Sequence, residues 1–334
     1  MSITSDVSAA SDADLGHCPV ALTRDAGRLG LQTSLIDTAL GPVTVRHGRR
    51  TAPGSPGAAT ILLHGAAGSW TTWTPLIEAA DRHAGAPLAD LIIPDLPGWG
   101  DTPLPRNVDA ETIESLAAAV AEIATALGYR CWRVIGHSLG GFVALELAAS
   151  APRQTSFVGL VSATTFSVIT SVRHPLTRFA VLPGFTALLG VMRVLSMLGP
   201  AGRGLAAGLH RLGLLRPLVA PLFSDVRRVD GSVVAALAAE ARPRSFALAA
   251  RRAGRYDAEA SWARIRCPVR SVHGDRDVFV TADDDSRMAA VIADLEVTVL
   301  AGTGHFGHVE RPFATLKALH SPRLLALPGS PEES

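Results

Sequence analysis

One serine stands where its surroundings could make it a nucleophile. The segment Arg133-Val134-Ile135-Gly136-His137-Ser138-Leu139-Gly140-Gly141-Phe142 runs from a β-branched pair into a serine flanked by glycines, then into an apolar helical pattern from Phe142 to Ala148. G-x-S-x-G between a strand and a helix puts the serine on a sharp turn with its Oγ pushed out of the sheet edge. A Cβ at Gly136 or Gly140 would crowd the neighbouring strand and helix, which is why glycine stands there. The helix after Ser138 aims free N–H groups and a positive dipole end at the place where negative charge would develop. A serine hydroxyl needs a base within hydrogen-bond reach. That base needs a carboxylate on its other nitrogen. Downstream, Asp275 and Asp277 follow Gly274, and His305 follows Gly304.

The elements that would carry these groups read as an alternation of strands and helices. Ala59 to Leu63 and Leu88 to Pro94 are short apolar runs, as expected of strands buried on both faces, and Cys131 to Ile135, Phe157 to Ser162, Pro268 to Val272 and Glu296 to Leu300 read as further short strands. Thr38 to His47 reads as one or two strands around a Gly-Pro turn. Trp70 to Arg82, Asp109 to Leu127 and the stretch after Pro312 have helical spacing. This rhythm predicts a parallel α/β sheet. It breaks from Ala163 to about Tyr256, where helical fragments, prolines and glycines replace strands, as in a lid inserted between two parts of one sheet. The expected organisation is a loose arm over 1–30, a core over 31–162, a helical cap over 163–256, the second part of the core over 257–322 and a loose tail over 323–334.

Composition narrows the class. The 334 residues are 48% hydrophobic and 18% charged, with net charge +1, which fits a globular chain and gives no reason to expect nucleic acid as a partner. Cys18, Cys131 and Cys267 are scattered, which fits free thiols in a reducing, cytoplasmic setting and offers no disulfide framework or zinc site. No H-E-x-x-H and no dinucleotide fingerprint is present, so neither a metal nor a cofactor is expected. The start of the chain lacks a basic region followed by an apolar core and does not read as a signal peptide. Phe179 to Pro200 is apolar but interrupted by Pro183 and Arg193, and reads as a buried or surface-lying helix pair rather than a span.

Serine, acid and histidine in that chain order, with five ordered motifs, resemble the α/β-hydrolase superfamily, in its capped, small-substrate form. The motifs are His64-Gly65, Asp95 to Asp101, the Ser138 turn, Gly274 to Asp277 and Gly304 to Pro312, and the resemblance covers about Thr38 to His320. It implies an α/β-hydrolase fold, with a mostly parallel central sheet, helices on both faces and an inserted helical cap. It also implies the roles: Ser138 as nucleophile, His305 rather than His308 as base, and Asp277 rather than Asp275 as its carboxylate. The backbone N–H groups of Ala66 and Leu139 would form the oxyanion hole. His64, His137, His273, His308 and Glu310 are read as structural. Families of this kind with aspartate at the nucleophile position form alkyl-enzyme esters. Serine favours acyl transfer instead.

From Ala163 to Tyr256 the chain carries thirteen arginines against three acids, Asp225, Asp230 and Glu240. One reading is an amphipathic cap with a solvated arginine face. The other is a lid that meets an anionic acyl substrate or an anionic membrane surface. Apolar residues such as Phe185, Leu188 and Met192 suggest an apolar acyl pocket for a small-molecule substrate. The expected function is a serine hydrolase of an ester, thioester or lactone. Its rivals are an acyltransferase, perhydrolase or carbon–carbon bond hydrolase on the same triad, and a non-catalytic binding protein of this fold.

Overall fold

The computed structural model describes residues 20–51, 57–83, 87–174 and 181–319. Eight strands, β1 Leu31–Thr38, β2 Gly41–Gly48, β3 Ala59–Leu63, β4 Leu91–Pro94, β5 Trp132–His137, β6 Thr155–Val161, β7 Val269–Gly274 and β8 Leu295–Leu300, form one sheet. Their order is β1-β2-β4-β3-β5-β6-β7-β8. Strand β2 is antiparallel to β1 and β4, and every other neighbouring pair is parallel. In the core the helices are α1 Thr74–His83, α2 Ile113–Ala126 and α3 Leu139–Ser150. Between β6 and β7 lie α4 Phe166–Arg173, α5 Pro183–Met197, α6 Pro200–Arg211, α7 Leu215–Val219, α8 Gly231–Ala239, α9 Pro243–Ala253 and α10 Ala258–Trp262. The chain closes with α11 Ala282–Val291, α12 Gly307–Glu310 and α13 Pro312–Leu319.

Every residue of β3 and β4 is buried, as it must be where helices cover both faces of the sheet. One apolar cluster joins α2 and α3 to β3, β5 and β6, and a second joins α1 and α13 to the opposite face. Helix α3 is buried from Leu139 through Ala149, so it has no polar stripe and its amphipathic signal vanishes. Thr112 caps α2 and Thr281 caps α11, each accepting from the backbone N–H three residues on.

The sequence reading and the structure differ at the sheet's first edge. The turn falls at Ala39 and Leu40, ahead of Gly41-Pro42, and β1 begins at Leu31. Gln32, Thr33, Leu35 and Asp37 carry no continuous apolar run because β1 pairs on one side only and is half exposed. Of the arm expected to be loose over 1–30, residues 1–19 lie outside the described residues. The remainder is held down: Leu29 is buried, and the Leu22 N–H donates to Ser232 Oγ at 2.8 Å. The tail from 323 also lies outside the described residues.

Asp95, at the end of β4, ties the sheet to the loops above it. Its side chain is buried and accepts from the Trp70 N–H at 2.9 Å, the Asp101 N–H at 3.0 Å and the Arg46 guanidinium. Gly100, at φ 53°, lies so close that a Cβ would sit 2.2 Å from Asp95 Cγ. The Gly100 backbone is gripped from the inserted segment, its N–H donating to Glu240 and its carbonyl accepting from Arg242. Removing one partner of a buried ion pair leaves the other charge uncompensated. Asp95→Ala is therefore expected to destabilise the fold by about 3–5 kcal/mol in urea unfolding. A loss under about 1 kcal/mol, the worth of an exposed pair, would contradict this account of the loop.

Candidate active site

Ser138 occupies the junction of β5 and α3 with φ 51° and ψ −117°, a conformation an L-residue holds only under constraint from its surroundings. The constraint is close backbone packing. A Cβ on Gly136 would stand 2.3 Å from the Gly140 carbonyl oxygen, and one on Gly140 would stand 2.1 Å from that of Leu63. Gly65 faces the same turn, where a Cβ would lie 2.7 Å from His137 Nδ1 and 2.9 Å from Ser138 Cβ. The Ser138 N–H is tied to the Val161 carbonyl at 3.1 Å, and its own carbonyl accepts from Gly141 and Phe142. Leu139 is the first residue of α3, so its N–H is one of the helix's orphan donors.

Asp277 and His305 come from the turns after β7 and β8. His305 Nδ1 lies 3.0 Å from Asp277 Oδ1 and 3.1 Å from Oδ2, and both side chains are almost fully buried. Burial by itself would raise the Asp277 carboxyl. The His305 ring and its hydrogen bond, together with the Phe279 N–H at 2.8 Å, outweigh burial and hold it below the ordinary carboxylate range. Asp277 is therefore ionised at neutral pH, and a carboxylate at this place requires the proton on His305 Nδ1, leaving Nε2 as the acceptor. Asp275 is elsewhere employed. It is exposed, and its Oδ1 accepts from the Thr303 N–H at 3.2 Å, joining the two turns.

His305 is fixed from three further directions. Its N–H donates to the Leu222 carbonyl at 2.8 Å, its carbonyl accepts from His137 Nε2 at 3.0 Å, and Phe279 meets its ring edge-on at 4.7 Å. Glu310 accepts from the Gly304 N–H at 2.9 Å and from the Ser224 N–H at 2.8 Å, so the His305 loop and the inserted segment share one carboxylate. His64 bridges the loops after β3 and β4. Its Nε2 accepts from the Leu96 N–H at 2.9 Å, which places its proton on Nδ1, donating to the Gly65 carbonyl at 2.8 Å. His273 pairs with Asp285 at 3.0 Å. Burial would lower its pKa, but the Asp285 carboxylate more than reverses this and the net direction is upward. Leu222 had no signal in the sequence, since what it supplies is a backbone carbonyl.

Ser138, His305, Ala66 and Leu139 all line one cavity of about 500 Å³ beneath the inserted helices. Its walls come from α5, α9 and the Phe279 turn, among them Phe185, Leu188, Met192 and Phe246. Among the described residues Ser138, Thr164 and His305 are the polar side chains on its lining, and no Asp, Glu, Lys or Arg contributes. Such a chamber takes an apolar group and leaves polar chemistry to one end.

Residues 60–318 match the model of the alpha/beta hydrolase family, and the chain belongs to that family. An uncharacterized protein of Mycobacterium tuberculosis is 27% identical over 268 residues, covering 77% of this chain and 72% of its own. Mouse epoxide hydrolase 4 is 28% identical over 176 residues, 49% of this chain and 47% of its own. Among solved structures, the enol-lactonase of Burkholderia xenovorans LB400 is similar at a TM-score of 0.61 and 16% identity, over 85% of this chain and 97% of that one. Members of the family are typically hydrolytic enzymes, and the proteins similar to this chain include an epoxide hydrolase, an enol-lactonase and an esterase.

Beneath the Ser138 turn lies a stack of buried histidines. His137 meets His308 at 4.4 Å and His305 at 4.9 Å between ring centroids, and His308 lies 4.5 Å from Trp73. Burial lowers His64, drives His137 well below the usual imidazole value, and pushes His308 to about 3. Each is neutral when folded and takes a proton when unfolded below about pH 6.5. The unfolded state then binds more protons, so stability falls as pH drops from about 6.5 towards 3. The expected slope approaches 1.4 kcal/mol per pH unit for each such histidine. His308→Phe should flatten it by about one histidine's share. Equal urea midpoints at pH 7.5 and about 5 would show that these rings are not buried neutral.

Proposed function

We propose that this chain is a serine hydrolase that cleaves a carboxylic ester, thioester or lactone with a lipophilic acyl part, through an acyl-enzyme. The observation that carries the reading is the shared cavity. An apolar chamber ends at Ser138 and at a histidine whose Nδ1 is held by an ionised carboxylate. In this reading His305 Nε2 takes the Ser138 proton as Oγ attacks the acyl carbon. The Ala66 and Leu139 N–H groups receive the oxyanion, and a preorganised donor of this kind is worth about 3 kcal/mol. His305 returns the proton to the leaving alcohol or thiol, and the acyl group stays on Ser138. Water then attacks with His305 again as base, releasing the acid and restoring the serine. The inserted helices act as a cap that excludes bulk water and selects the acyl chain.

The likeness to an epoxide hydrolase suggests a different first step, attack on an alkyl carbon by a carboxylate. Position 138 is serine, which forms an ester by acyl transfer, so the acyl route is favoured here. The buried Asp277 is engaged by His305 and by Phe279.

A fluorophosphonate probe reads the activated serine without knowledge of the substrate. Wild type should label at Ser138, and Ser138→Ala and His305→Ala should not. With a chromogenic acyl ester, Asp277→Asn is expected to lower kcat by about 10⁴-fold through the wrong histidine tautomer. Asp275→Asn should leave kcat near wild type. Folded wild type that neither labels nor turns over esters of any chain length would instead favour a binding protein of this fold.

A further inference from the structure

We propose that the outer face of α5 to α7 docks the protein on an anionic phospholipid surface. Of the ten most exposed large apolar side chains among the described residues, eight fall between Val191 and Leu218. Met197 is 86% exposed and Leu212 is 73% exposed. Val191 and Val194 on α5 and Leu198 at its C-cap stand three and four residues apart, along one face. Helix α6 packs against α5 and α7 against α6, so the apolar residues of these consecutive elements belong to one region. Exposed apolar side chains gathered in one region are costly in water and mark a place where something else binds.

Charge selects the occupant. From His174 to Ser224 the sequence holds five arginines and neither aspartate nor glutamate. Arg193 on α5 and Arg211 at the end of α6 are exposed beside the apolar residues. Arg216 is used inside the fold, donating to the Val226 and Val229 carbonyls. Among the described residues no arginine lines the cavity above Ser138, so Arg193 and Arg211 are not there to hold an anionic substrate. Apolar side chains flanked by arginine match a bilayer whose anionic headgroups surround its acyl layer. The cavity reaches this region, since Val191 and Leu218 are exposed and also line it. A lipophilic molecule could pass from a bilayer to Ser138 without crossing water. Among the described residues no helix is long and apolar enough to span a membrane, so docking would be peripheral.

Docking is read by sedimentation and does not depend on the acyl-enzyme reading. The full chain is spun with phosphatidylglycerol vesicles and with phosphatidylcholine vesicles. Wild type should pellet with the first and weakly with the second, and added salt should weaken the binding. The double variant V194D/M197D should lose pelleting, and R193E/R211E should bind at least about thirtyfold less tightly. Circular dichroism and thermal melting must show both variants folded as wild type, which exposed positions permit. Should V194D/M197D fail to fold, V194S/M197S replaces it. The proposal is overturned by no pelleting with phosphatidylglycerol, by equal pelleting with both lipids, or by apolar-face variants that bind as wild type. Light scattering showing a dimer that the apolar-face variant dissociates would also overturn it, assigning the face to a second copy.

Discussion

The molecule depends on one close approach of backbone to backbone. The first turn of α3 lies against the ends of β3 and β5 with no room for a side chain at Gly136 or Gly140. Because that contact leaves no alternative, Ser138 keeps a positive φ that its own preferences oppose. The α3 that follows, buried from Leu139 through Ala149, cannot relax the turn by shifting. Packing of the sheet and helix therefore holds the serine in place, and the polar groups around it need only orient their neighbours.

They do this by bridging loops that are distant in sequence. Asp95 joins β4 to the loops at Trp70 and Asp101, His64 joins the β3 loop to the β4 loop, and Glu310 joins the His305 loop to the inserted segment. Asp284 works in the same way, accepting from Thr165 Oγ1 at 2.6 Å and the Ser167 N–H at 2.8 Å, so the exit of β6 is tied to α11. Buried polar groups are tolerated when their hydrogen bonds are met, and here each met bond also fixes a loop. The histidine stack is the contrasting case. Both ring nitrogens of His308 are without a hydrogen-bond partner among the described residues, and the ring is held by its apolar faces.

Much of this was legible in the sequence, for physical reasons. Strands buried on both faces are commonly continuous apolar runs, and β3 and β4 announce themselves in this way. The serine turn needs glycines at fixed offsets, and Gly136 and Gly140 stand where the crowding is found. The order of Ser138, Asp277 and His305 follows from the sheet, since each stands just past the end of a parallel strand. Edge strand β1 was hidden because half of it meets water. The choice between Asp275 and Asp277 needed the family resemblance, since the two lie on one turn and only geometry separates them. Least legible were contacts made by backbone atoms. Nothing in the side chain of Leu222 hints that its carbonyl holds His305.

The Leu222 contact bears on how such a protein can diverge. A segment entered from β6 and left into β7 looks like a replaceable part, free to vary while the sheet stays constant. Here the part is wired into the core at Leu222, Ser224, Glu240 and Arg242, and a Cβ on Gly304 would come within 2.6 Å of the Leu222 oxygen. Outward-facing positions between these anchors can change freely, whereas the anchors must keep their backbone path. Tolerance in this segment is thus divided, with side chains on its surface free of the sheet and a few main-chain positions bound to it.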